Sequence, residues 1–203
     1  MKAERRVGAE DSATRVVILD TTERLMLEEG YAAVTTRRVA GEAGLKPPLV
    51  HYYFLTTDDL LVAVYQRAAQ RNVERVSRAL ASAKPLSELW ALSTDPTRTT
   101  LAVEFMALAN HRKRIRSEIA ANIERSRTMQ TEVLKRLLRD QGISLGECPP
   151  LAISVVIAGV SRALVMEAAL GVSSGHAETR ALVESWLQKL ERPPKRKRAA
   201  STK

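Results

Sequence analysis

A chain of 203 residues with 45% hydrophobic content can bury a core of its own, and its one cysteine, Cys148, excludes an internal disulfide. The formal net charge of +9 is unevenly spread: residues 1–60 carry 8 Lys/Arg against 10 Asp/Glu, residues 61–191 carry 18 against 13, and residues 192–203 carry 6 against none. Most of the excess therefore belongs to the tail RPPKRKRAASTK, whose Pro-rich, aromatic-free composition predicts a disordered arm, and the total is a weak argument for a nucleic-acid partner.

Helical spacing of apolar residues dominates, and no alternating Val/Ile/Thr/Tyr run bounded by turn residues suggests a sheet, so the predicted class is all-α. After a polar leader over residues 1–14, read as a flexible arm, Val17, Ile18, Leu25 and Met26 lie at helical spacing in a first helix that stops at Gly30. TTRRVAGEAG gives a short second helix capped by Thr35 or Thr36 and ended by Gly44, and KPPLVHYYF follows at once. In LTTDDLL, Thr56 precedes Asp59 by three residues, a capping box with Asp in place of Glu, which predicts a long helix from there to about Ala83. A short helix around Leu86–Leu92, a break at Asp95-Pro96 and a helix through Leu101, Phe105 and Leu108 come next. A long amphipathic helix from about Arg112 to Gln141 ends in GISLGECPP, and two last helices span roughly Pro150–Leu170 and Ala177–Leu190. The apolar run from Leu151 approaches membrane-span length, but Arg162 and Glu167 interrupt it, so a buried helix and no membrane partner are expected. The first thirty residues hold no signal-type apolar run, which points to the cytoplasm.

The stretch KPPLVHYYF spends three of the eight aromatic residues of the chain at one place. With Gly44 as a turn, Ala40 falls four residues before it and Val50 six after it. Ala40 lets two steeply crossed helices approach, Gly44 permits a positive φ, and Val50 points into the core, which is the arrangement of a helix-turn-helix. Val50 and Phe54 then share the inner face, while Pro48, His51 and Tyr52 point outward, Pro47 and Leu49 flank them and Tyr53 lies on the border. The two prolines preorganise the first turn but remove its N–H donors, leaving Lys46 and the tyrosine hydroxyls as candidate phosphate contacts. Pro and Leu side chains can meet thymine methyls, and His51 can donate to a base or phosphate oxygen.

From Val17 through Leu61 this order of motifs, EEGY, TTRRVAGEAGL, the proline-led helix ending HYYF, and TTDDLL, resembles the TetR family of transcriptional regulators. Over the remaining residues the likeness is only in helix lengths and order. The resemblance implies about nine helices, dimerisation through the last two, binding to a palindromic operator in double-stranded DNA, and release when a small-molecule effector of unknown identity enters the central domain. It divides the chain into a helix-turn-helix domain at residues 15–60, an effector-binding and dimerisation domain at 61–191 and a basic tail at 192–203. In the family, residues at the positions of Thr36 and Arg37 reach DNA from the second helix, and those at Pro47, Pro48, Leu49, His51 and Tyr53 from the third. One departure is Thr57, where the family usually has a phosphate-holding lysine. A hydroxyl contact is expected there, with Lys46, Arg38 or the Arg5-Arg6 leader as compensating charge.

Trp90, Leu101, Phe105, Met106, Met129 and Met166 are the candidate effector-pocket residues, each also an ordinary core candidate. The basic run Arg112–Glu118 reads as a solvated helix start or a site for an anionic effector. Two stripes in the last helices suit a symmetric four-helix interface: Ile153, Val156, Ile157, Val160 and Leu164, and then Leu182, Val183, Trp186 and Leu187, with packing inside one chain as the alternative. A helical-bundle enzyme is the rival class. His51, His111 and His176 are scattered, no Glu-x-x-His pair occurs, Cys148 has no evident base and no Gly-rich phosphate loop is present, so neither catalysis nor a metal or other cofactor is expected. A DNA-binding activator or architectural protein without effector control is a further alternative.

Overall fold

The computed structural model describes residues 12–140, 142–144 and 149–191. The predicted arm before Ser12, Cys148 and the basic tail from Arg192 lie outside the described residues, within which the chain forms nine α-helices, a single 3-10 turn and no strand. The helices are α1 Ala13–Glu29, α2 Thr36–Glu42, α3 Pro47–Tyr53, α4 Thr57–Leu80, α5 Pro85–Ser93, α6 Pro96–Ala109, α7 Lys113–Asp140, α8 Pro150–Ala169 and α9 His176–Leu190.

Local chemistry sets most of the boundaries. Ser12 caps α1, and the helix stops at Gly30, whose φ of 81° a side chain would oppose. The Thr56 capping box is complete: the Asp59 N–H donates to Thr56 Oγ1 at 3.1 Å, and the Thr56 N–H donates to Asp59 Oδ2 at 3.1 Å. Prolines open α3, α5 and α8 in the first turn, where the missing N–H would have had no partner. The start of α5 is satisfied from far away, since Glu191 Oε1 accepts from the N–H groups of Leu86 (2.5 Å) and Ser87 (3.2 Å) and Glu191 Oε2 from the Ser87 hydroxyl (2.6 Å).

By compactness the chain divides into two units, whose borders do not fall at residue 60, where the sequence suggested a division. The first contains the described residues up to Val73 with Pro96–Ile123, and the second contains Glu74–Asp95 with the described residues from Glu124 onward, so α4 and α7 each contribute to both. The first unit buries Ile18, Leu25, Met26, Val39, Val50 and Leu60 with Phe105 and Ile115, and Tyr65 meets Phe105 edge-on at 5.1 Å. Of the four residues at helical spacing in α1, Val17 is exposed while Ile18, Leu25 and Met26 are buried, and Leu19 is buried with them. Ion pairs tie α4 to α1 in this unit, Arg67 to Asp20 (2.7 Å) and Glu23 (2.8 Å) and Arg71 to Glu23 (3.3 Å). The second unit is centred on Leu86, Trp90, Leu134, Leu138, Ile153, Ile157, Leu164 and Leu187.

Candidate nucleic-acid interface

Within the first unit, α2 begins at Thr35, whose side chain accepts from the Arg38 N–H at 3.1 Å, which places Thr36 and Arg37 in the first turn with Arg37 exposed. The helix ends in a tight turn: the Leu45 N–H donates to the Ala40 carbonyl at 2.8 Å, and Gly44 adopts φ +66°. Ala40 and Val50 are fully buried, so α2 and α3 cross at close quarters on these two side chains. Phe54, 4% exposed, closes the inner side, with the Arg15 guanidinium 5.3 Å from the centre of its ring.

The outer side of α3 is then left open. Lys46, Pro47, Pro48, Leu49, His51 and Tyr52 are all exposed, Tyr52 at 48%. Tyr53 is half-buried, meets Tyr52 edge-on at 5.2 Å, and shares a 2.7 Å hydrogen bond through its hydroxyl with Ser12 Oγ. That bond ties the start of α1 to the end of α3, so of the two tyrosines it is Tyr52 that stands outward. Thr57 is half-buried at the first position of α4.

The charges around this surface are of two kinds. Arg38 is engaged by Glu29 (2.9 Å) and Glu42 (3.3 Å), and Arg24 by Glu28 and Glu42 (both 2.9 Å). The Arg24 and Arg38 guanidiniums in turn hold the Glu42 carboxyl below the usual carboxylate range. Arg37 and Lys46 make no ion pair among the described residues, so they, and not Arg38, are the available cations of α2 and α3. Arg5 and Arg6 lie outside the described residues. One contribution escapes a sequence reading: Arg112 and Arg114 stand against the first turn of α4, paired with Asp58 at 2.8 Å and Asp59 at 2.5 Å. The opposite charges of 58–59 and 112–114 are visible in the sequence, but nothing local joins segments so far apart.

The other predicted sites separate. Leu101 and Phe105 belong to the core of the first unit, with Met106 half-buried on the same helix. In the second unit Met129 packs on Val76, Ala79 and Leu89, and Met166 is 48% exposed. Trp90 alone of the six lines a cleft between α5 and α9, of about 320 Å³, with Ser87, Thr94, Glu184, Leu187 and Gln188. Its indole N–H donates to Glu184 Oε1 at 3.4 Å. Of the nine residues in the two stripes, Ile153, Ile157, Leu164, Val183 and Leu187 are buried in the core of one chain, with Val160 and Trp186 packed against it. Val156 and Leu182 are exposed, at 49% and 71%. They stand with Leu151, Val155 and Met166, and with Leu170 at the C-cap of α8, among the exposed apolar side chains of this region. By length and apolarity α8 could cross a membrane, but it places Ile153, Ile157 and Leu164 in the core of the second unit.

Residues 18–64 match the family model for bacterial regulatory proteins of the tetR family. No protein of curated function matches the chain in sequence. Among solved structures, a TetR-family transcriptional regulator from Rhodococcus sp. is similar at a TM-score of 0.72 and 16% identity, over 89% of this chain and 100% of that one. A TetR transcription regulator from Haloarcula marismortui is similar at 0.67 and 22%, over 88% and 96%, and the fatty acid degradation regulator FadR from Bacillus halodurans at 0.65 and 17%, over 90% and 97%. Residues 18–64 are thus a TetR-family DNA-binding domain, and the whole chain has the fold of that family of transcriptional regulators.

Proposed function

We propose that the protein is a transcriptional repressor that binds a palindromic operator as a homodimer and is released by a small-molecule effector. The observation that carries the reading is the outer face of α3: a rigid, proline-started helix anchored by Val50 and Phe54 that presents Lys46, Pro47, Pro48, Leu49, His51 and Tyr52 to solvent. A two-residue anchor on one side and a mixed apolar and hydrogen-bonding surface on the other suit a major groove, where methyl groups and donor or acceptor edges alternate. Thr36, Arg37 and Thr57 flank this helix as backbone contacts.

Dimerisation is supported by the exposed side of α8 and α9, where Leu151, Val155, Val156, Met166, Leu170 and Leu182 would otherwise remain in water. A symmetric pairing of that face buries it and sets two α3 helices to read two half-sites. Effector control is supported by the cleft beside Trp90, whose volume of about 320 Å³ admits a small organic molecule. Selection of bound sequences from a random double-stranded pool tests the reading. A palindrome with half-sites about one turn apart is expected, and the recovered site then serves in an effector screen followed by Trp fluorescence. Enrichment of no sequence at all would overturn it.

A further inference from the structure

The first turn of α4 follows directly on the outward face of α3, and it carries two carboxylates, Asp58 and Asp59, and no cation of its own. Unneutralised, that pair would repel any phosphate backbone lying along α3. The neutralising charge comes from the corner between α6 and α7. Arg112 Nη1 lies 2.8 Å from Asp58 Oδ1 in an ion pair, and Arg114 donates through Nη1 to Asp59 Oδ1 at 2.5 Å, in a unit that holds both segments. Arg116 turns the other way and closes the end of α6, donating to the carbonyls of Ala109 and Asn110, both at 3.1 Å. Lys113, between the two paired arginines, is exposed and makes no ion pair among the described residues, so the corner keeps a positive charge in excess of the two aspartates.

From this juxtaposition we propose that Lys113, with the free guanidinium N–H groups of Arg112 and Arg114, forms a second backbone-binding element that holds DNA phosphates beside the start of α4. The inference rests on the DNA-binding reading of α3 and adds to it a segment far outside the helix-turn-helix. Each arginine uses Nη1 on its aspartate, and the rest of its fork of donors remains for a phosphate oxygen. Both side chains are roughly half-exposed, at 46% and 60%, so such an oxygen has access. The contact reads no base: it adds affinity and fixes register, and salt weakens it.

The test uses the full chain and the operator recovered by selection, with affinity measured across a series of KCl concentrations. Lys113→Ala, a change at an exposed position, should weaken operator and base-substituted operators by the same factor and make the slope of log K against log salt shallower by about 0.9, the value for one lost phosphate contact. Lys113→Glu should weaken binding further, and Lys113→Arg should restore it. Lys189→Ala removes the same charge from α9 and should leave the slope unchanged. Selective binding with a wild-type slope in Lys113→Ala would overturn this proposal alone. Absence of selective binding by the wild-type chain would remove the underlying reading and the proposal with it.

Discussion

Arg37, Lys46 and His51 are each exposed, and neither of the two cations is held by a carboxylate, whereas Arg24 and Arg38 close by are both consumed in ion pairs. His51→Ala is expected to weaken operator binding by about 1–3 kcal/mol and to relax preference at one base of each half-site, read by gel shift on base-substituted operators. Arg37→Ala should weaken all operators alike, with dimer sedimentation unchanged in both variants. Tyr53 belongs to a different class. Its hydroxyl is spent on Ser12, so Tyr53→Phe should lower stability by about 0.5–1.5 kcal/mol in thermal melts. Along the HYYF string, His51 and Tyr52 face out, Tyr53 ties the domain together and Phe54 fills it. Spacing placed Tyr53 on the border, and only the position of Ser12, 41 residues earlier, gives its hydroxyl a partner.

Among the elements, the α2 turn and the start of α4 can be perturbed separately. A Cβ on Gly44 would meet nothing within 4 Å, so the cost of Gly44→Ala is purely that of holding φ +66°, about 1–2 kcal/mol, and Gly44→Asn should cost less because Asn tolerates the left-handed region. Equal melting losses for the two would contradict that account. At α4, Thr56→Ala removes one half of the capping box and should cost about 0.5–2 kcal/mol. Asp59 adds a pH dependence of known sign. Its hydrogen bonds from Thr56, and then the Arg114 guanidinium, hold its carboxyl below the ordinary carboxylate value. The resulting stabilisation is present above the unfolded-state value and is lost as pH falls through the lower folded-state one. The difference in melting temperature between wild type and Asp59→Asn should therefore be constant near neutrality and shrink only under acid conditions. Helix starts and stops of this sort were legible in the sequence because caps act over three or four residues: the Thr56–Asp59 box, the Gly30 stop and the Asp95-Pro96 break all stand where the residues suggested.

For the whole molecule, the decisive question is whether the exposed apolar face of α8 is shared with a second chain. Val156→Glu and Leu170→Glu place charge on exposed apolar positions and should yield a folded monomer by sedimentation, with loss of affinity for the palindrome. Ile157→Glu, one residue further along, buries a charge among Leu86, Leu134 and Leu187 and should abolish folding instead. A dimer that persists in both exposed-site variants would show that this face is not the interface.

That contrast marks the limit of a one-dimensional reading. The sequence by itself determined the helical class, the element order, the helix-turn-helix and its inward pair Val50 and Phe54, because these depend on periodicity and on groups a few residues apart. Only the tertiary structure decided which stripe of α8 enters the core, since apolar residues line both sides of that helix and one position along it rotates the view by about 100°. It likewise assigned Leu101, Phe105 and Met106 to the first unit and Trp90, Met129 and Met166 to the second, with Trp90 alone of the six on the α5–α9 cleft. The pairing of Arg112 and Arg114 with Asp58 and Asp59 has the same origin: a Coulomb contact between segments about fifty residues apart exists only once the chain has folded them together.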